Sequence, residues 1–195
     1  MNAKQLKFFL VSKGFSRVTD ANYMRTKDGF INCINFQKKS TGDAFFINMG
    51  VHPTFYKLYD ESLPNKEIMC EIRSRMVPEE GLCVDLLDSP DGISHIVNVM
   101  ENNWHFFDFF NSTDNVFSPI GIENIEGKKL PVVFRGVTDV RLTLMCMYYH
   151  IFKGDKDKTI SFAEYGLSIV EKSAIRISGP KKAFKQALKN IDNVS

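Results

Sequence analysis

The alternation that runs from Phe30 to His52 constrains this chain more than any other feature. Successive side chains of a strand point to opposite faces, so Phe30, Asn32, Ile34 and Phe36 share one side of a first extended segment, and Ile31, Cys33, Asn35 and Gln37 share the other. On a second segment Phe45, Ile47, Met49 and Val51 oppose Phe46, Asn48, Gly50 and His52, with Lys38, Lys39, Ser40 and Thr41 as turn residues between the two. Burying Ile34 and Phe36 together with Ile47, Met49 and Val51 requires an antiparallel register in which paired residue numbers sum to an odd value. A slip by one residue would turn one strand over. Asn35, Gln37, Asn48 and His52 then share the opposite face.

The flanking segments extend this hairpin into a sheet. Leu6, Phe9 and Leu10 have helical spacing within Ala3 to Lys13, and Gly14 stands where a left-handed cap ends a helix. Phe15 to Thr19 and Asn22 to Thr26 read as extended, and Lys27-Asp28-Gly29 is a tight-turn signal because both central residues tolerate positive φ. After Pro53 an aromatic loop with Phe55, Tyr56 and Tyr59 leads to Lys66 to Met76. There Ile68, Cys70, Ile72, Ser74 and Met76 alternate with Met69, Glu71, Arg73 and Arg75, the period of a half-exposed strand. The short apolar piece Leu82 to Leu87 has no period that assigns it.

From Asp91 the period becomes helical, with Ile93, Ile96, Val97, Met100, Trp104 and Phe107 in phase and Asp91 or Ser89 available as cap. Phe106, Phe109 and Phe110 make the end of this helix apolar on all sides, which predicts burial between layers. Asn111 to Gly136 is loop rich, the expected hinge, with a short strand at Val132 to Phe134. A helix is expected from Thr138 or Asp139 to Phe152, stopped by Gly154. Ser161-Phe162-Ala163-Glu164 fits a capping box opening a helix to about Lys172, and Gly179-Pro180 starts a last amphipathic one. The fold class is therefore α+β: an N-terminal helix, an antiparallel sheet of about four to five strands, then a mainly helical C-terminal half packed on it. A single domain over 1–195 is expected, sheet-rich in 1–90 and helix-rich in 91–195.

Bulk properties narrow the function classes. The chain has 195 residues, enough for one sizeable core, and its 17 phenylalanines predict that this core is aromatic. A net charge of +2 is too small for long-range attraction to a polyanion, so nucleic acid is not an expected partner. The basic tail, with Arg176, Lys181, Lys182, Lys185 and Lys189, reads as a solvated helix face. The apolar run Phe8 to Val11 is too short for a signal peptide or a membrane span, so no membrane association is expected. Cys33, Cys70, Cys83 and Cys146 form no C-x-x-C pair and sit among apolar neighbours, which predicts four buried, reduced thiols in a cytoplasmic protein.

Motifs that carry chemistry are missing from the sequence. The histidines His52, His95, His105 and His150 lie on separate elements without metal-ligand spacing, and no Walker loop, G-x-S-x-G or G-x-G-x-x-G occurs. No metal and no cofactor is expected. One constellation stands out, the polar sheet face with Asn35, Gln37, Phe46, Asn48, His52, Arg73 and Arg75, accompanied by Glu71. Arginines bind carboxylate or phosphate in a bidentate way, amides fix orientation, and a histidine beside them could titrate near neutrality. The plainest alternative is the wet side of an antiparallel sheet, with Glu71 pairing its basic neighbours. Phe46 is the odd member, since a wet aromatic favours a partner surface.

Asn35-Phe36-Gln37-Lys38-Lys39-Ser40, Phe45-Phe46-Ile47-Asn48-Met49-Gly50-Val51-His52-Pro53 and Cys70-Glu71-Ile72-Arg73-Ser74-Arg75 together give the first half of the chain a resemblance to a bacterial family, domain of unknown function 4304. An extra lysine before Ser40 lengthens the turn relative to the family pattern. The resemblance implies a soluble bacterial α+β domain and brings no catalytic residues. Two functions follow as expectations. The first is a non-enzymatic protein-interaction module, an accessory or immunity-type binder with a protein partner. The second is a small-molecule binder or enzyme acting on an anionic substrate, with Arg73 and Arg75 as anion clamps, His52 as acid or base, and Asn35 and Asn48 as orienting groups.

Overall fold

The Asp28-Gly29 pair does what its chemistry allows: both residues adopt positive φ, at 53° and 81°, and join two antiparallel strands. They are part of a computed structural model that describes residues 3–57, 62–76, 78, 80–173 and 178–192. Tyr59 and Arg176 lie outside the described residues. The first helix is α1 (Ala3–Ser12), followed by strands β1 (Ser16–Arg17), β2 (Asn22–Lys27), β3 (Phe30–Lys38), β4 (Ala44–Pro53), β5 (Ile72–Arg75) and β6 (Leu82–Cys83). The helices α2 (Pro90–Asn102), α3 (His105–Phe109), α4 (Thr113–Phe117), α5 (Ile122–Glu126), α6 (Asp139–Lys153), α7 (Lys156–Lys172) and α8 (Ser178–Asp192) complete the chain. The α+β class holds, with an N-terminal helix, one antiparallel sheet and a mainly helical second half.

The chain divides into two units. The first comprises residues 1–54 and 58–111, the second residues 55–57 and 112–195. In the first unit the strands run in the order β1-β2-β3-β4-β5, with β6 also paired to β4. The register between β3 and β4 has the odd sum that burial demands, with Ile34 opposite Met49 and Asn35 opposite Asn48. Phe30, Ile34, Ile47, Met49, Val51 and Ile72 are buried on that face, and Phe30 meets Phe110 edge to face at 5.3 Å. Ser89 caps α2 by accepting from the Gly92 amide, so the serine and not Asp91 starts the helix.

In the second unit α6 is buried on nearly all sides, through Leu142, Leu144, Met145, Cys146 and Met147. Thr138 caps it, and Gly154 ends it at φ 71°. Phe55, although distant in sequence, belongs here: its ring meets Phe117 at 5.3 Å and stacks on Phe152 at 5.8 Å, while Tyr56 stacks on Tyr148 at 5.0 Å. Helices α7 and α8 pack closely enough that an added Cβ on Gly166 would stand 2.3 Å from the Phe184 ring.

Several local expectations are corrected. The half-exposed strand from Lys66 begins only at Ile72, because Glu67–Met69 closes into a 3-10 turn that leaves Ile68 exposed. One long helix from Asp91 is broken at Asn103–Trp104 into α2 and α3. Val132–Phe134 is a 3-10 turn after Pro131, not a strand. The capping box at Ser161 fails: Asp155 caps α7 by accepting from the Lys158 amide, and Ser161 lies inside the helix, donating back to the Asp157 carbonyl at 2.9 Å. Cys83 is exposed, although the other three thiols are buried and all four are free.

Candidate functional site

The β3–β4 and β4–β5 registers put Asn35, Gln37, Phe46, Asn48, His52, Arg73 and Arg75 on one face of the sheet. A single row crosses four strands: Asn22 stands opposite Asn35, Asn35 opposite Asn48, and Asn48 opposite Arg75. Directly opposed side chains in an antiparallel sheet are close enough to bond. Arg75 Nε donates to Asn48 Oδ1 at 3.0 Å, Asn48 Nδ2 to Asn35 Oδ1 at 3.3 Å, and Asn35 Nδ2 to Asn22 Oδ1 at 3.2 Å. Asn22 Nδ2 ends the row by donating to Thr19 Oγ1 at 2.8 Å. Gln37 accepts the second Asn48 donation at 2.9 Å, so both N–H groups and the oxygen of this buried amide are used.

This face is not uniformly wet. Asn22, Asn48 and His52 are buried, and Met24, Ile31, Cys33 and Cys70 form a small apolar cluster beside them. The 3-10 turn at Glu67–Met69 covers the face, and Gly50 is what admits it. A Cβ there would stand 2.8 Å from Cys70 Sγ and 2.9 Å from its Cβ. The Glu67 amide donates to Asn22 Oδ1 at 3.2 Å, which ties the cover to the amide row. Burial pushes the Glu67 carboxyl above its ordinary range, and the charges of Arg73 and Arg75 draw it partly back. The Cys70 thiol is pushed well up by its hydrogen bond to Cys33 and by burial, so neither its position nor its acidity suits a nucleophile.

The exposed margin of the face is formed by Gln37, Arg73 and Arg75, with Phe46 half-buried beneath Arg75. The Arg75 guanidinium lies 3.9 Å above the Phe46 ring, within cation–π range. Phe46 also adjoins Gly81, where a Cβ would be 3.1 Å from the ring and the backbone has φ 94°. Neither Arg73 nor Arg75 forms an ion pair with a described residue.

The sequence-predicted residues thus separate into a buried group, Asn48 and His52, a partly covered one, Asn35 and Phe46, and an exposed one, Gln37, Arg73 and Arg75. Asn22 and Glu67 are members of this arrangement that sequence reasoning missed. The signal for Asn22 was present: a turn centred on Asp28-Gly29 pairs residues summing to the value set by Lys27 and Phe30, and Asn22 with Asn35 meets it. Among the described residues no group of His, Cys, Asp and Glu is placed to hold a metal ion, and no helix is long and apolar enough to cross a membrane.

An α+β chain whose sheet carries a bonded amide row on one face and an aromatic core on the other is the class these observations define. The chain belongs to the family described as domain of unknown function (DUF4304), whose model matches residues 6–113. The match ends close to Asn111, where the first unit ends. No curated protein and no solved structure matches the chain.

Proposed function

We propose that this chain is a non-enzymatic protein-interaction module of the bacterial cytoplasm, an accessory or immunity-type binder that meets its partner at the exposed margin of the polar sheet face. The observation that carries the reading is the fixed Arg75 side chain, stacked on Phe46 and hydrogen-bonded to Asn48. Arginine and aromatic residues are enriched where proteins meet, and a guanidinium already held in place loses little conformational freedom on binding. The amide row behind it is saturated with internal bonds, which suits a support for the surface better than a set of groups awaiting substrate.

A second reading, a binder of small anions, is supported by the absence of ion pairs to Arg73 and Arg75 among the described residues. A catalytic version of it would need His52 as acid or base, and His52 is fully buried.

The test is affinity capture from lysate of the source cells with the wild type and with Phe46→Ala and Arg75→Ala variants. A partner retained by the wild type and lost from both variants is the expected result; equal retention by all three overturns the reading. A thermal-shift panel of anionic metabolites, run on the wild type and on Arg73→Gln, examines the second.

A further inference from the structure

The occupant of this surface can be specified further from the hydrogen-bonding pattern of β5, an inference that rests on the interaction-module reading. β5 ends the main strand path of the sheet. Its ladder to β4 pairs Ile72 with Val51, Arg73 with Gly50, Ser74 with Met49 and Arg75 with Asn48. The Met76 amide donates to the Ile47 carbonyl at 2.9 Å. In an antiparallel pair, bonded and non-bonded positions alternate, so Ser74 and Ile72 bond to β4 as Met76 does. Arg73 and Arg75 occupy the non-bonded positions, and their backbone N–H and C=O groups therefore point away from β4, toward the outer edge.

Side chains and exposure agree with this backbone reading. Arg73, Ser74 and Arg75 are all exposed, so the strand is open on both faces at its centre. The two guanidinium groups stand two residues apart on the same face, the buried Glu67 carboxyl feels the charge of both, and neither arginine has an ion-pair partner among the described residues. A row of unpaired backbone groups is a template for another strand, and two cations at period-two spacing select what that strand carries.

We infer that the outer edge of β5 accepts an extended acidic segment of a protein partner as an added antiparallel strand, with two carboxylates spaced two residues apart opposite Arg73 and Arg75. Each carboxylate-bearing residue exchanges backbone hydrogen bonds with the arginine it faces, and its side chain lies on the Phe46 side of the sheet. The residue between them faces the same side as Ser74, so its identity is loosely specified. Charge alone does not define the ligand: two adjacent acids would point to opposite faces and satisfy only one arginine at a time.

The experiment uses the full chain, nitrogen-15 labelled, and a capped synthetic peptide with the core Glu-Val-Glu flanked by threonines. Amide hydrogen exchange at Arg73 and Arg75 is expected to slow at least tenfold on saturation with peptide, with no comparable change at Ser74, whose amide already bonds within the sheet. Arg73→Glu is expected to raise the Kd at least tenfold, and Arg73→Gln, a milder change, by a smaller factor in the same direction. Circular dichroism of both variants establishes that they remain folded. A second peptide, N-methylated at both glutamates, keeps the charges but cannot donate to the edge, and it should not bind. Equal binding of the N-methylated peptide overturns strand addition, as does failure of the parent peptide to bind. Neither result touches the interaction-module reading, which stands or falls on partner retention by the Phe46→Ala and Arg75→Ala variants.

Discussion

Asn48 accepts the Nε–H of Arg75 at 3.0 Å while giving its own two N–H groups to Asn35 and Gln37. One buried amide thereby joins an exposed cation to the middle of the sheet. The exposed charge is positioned from beneath, and the strength of that support can be measured.

Asn48→Ala removes the oxygen that holds Arg75 and strips the partners from Asn35 and Gln37. Gln37 and Arg75 are exposed and can turn to water, and Asn35 is only partly covered, so the cost is that of lost net hydrogen bonding, about 0.5–1.5 kcal/mol. A urea unfolding midpoint lowered to that extent, with the slope unchanged, is expected, and an unchanged midpoint would show that the row is ornamental.

Gly166→Ala sets two effects against each other. Alanine favours a helix over glycine by about 1 kcal/mol, whereas forcing extra volume into a packed contact costs about 1–3 kcal/mol. With the new Cβ 2.3 Å from the Phe184 ring, the clash wins and the variant is less stable. Phe184→Leu in the same chain should recover part of the loss; a stabilised single variant in thermal denaturation would refute the packing argument.

His150 gives acid sensitivity to the helical unit. It is buried, stacked on Phe162 at 5.3 Å, and faces Asp155 at 3.5 Å, and it feels the charge of Lys158. Burial lowers its pKa, Asp155 opposes that shift and Lys158 adds to it. The unfolded chain therefore binds the proton more readily, and stability is lost as pH falls from about 6.5, the ordinary histidine value, through the lowered folded pKa. Unfolding midpoints measured across that window should fall more steeply for the wild type than for His150→Phe.

Thiol accessibility separates the four cysteines. Cys83 is exposed and should react with an aromatic disulfide reagent within the first fast phase. Cys33, Cys70 and Cys146 are buried and, in the native state, should react only after local opening. Burial also pushes the Cys146 thiol up, which slows it further. Loss of the fast phase in Cys83→Ser is the check, and more than one fast thiol in the wild type would contradict the burial assignments.

The register of the central hairpin was legible because period-two alternation and an odd pairing sum leave only one way to bury Ile34 with Met49. The grouping of the amides with Arg73 and Arg75 followed from the same arithmetic. What alternation could not reveal is that Glu67–Met69 folds over the face: the residues around Ile68 keep a strand period, yet Gly50 offers a seat for Cys70 that only three-dimensional packing exposes. Ser161 and Glu164 have capping-box spacing, but Asp155 stands nearer the end of α6 and caps first, so the local signal lost to an earlier one. Asn22 was recoverable from the Asp28-Gly29 turn, whereas the stacking of Arg75 on Phe46 depends on a side-chain conformation that no periodicity specifies.

The aromatic stack around Phe55 bears on how genes of this kind can recombine. A breakpoint after Asn111 would carry the whole amide row away intact, yet it would also take residues 55–57 from the unit to which they belong. The helical remainder would lose the ring that meets Phe117 and Phe152 and the one that stacks on Tyr148. Inheritance of the second unit is thus tied to that of the first by three residues, and a functional exchange of C-terminal halves between relatives requires matching aromatics at Phe55 and Tyr56 in the recipient.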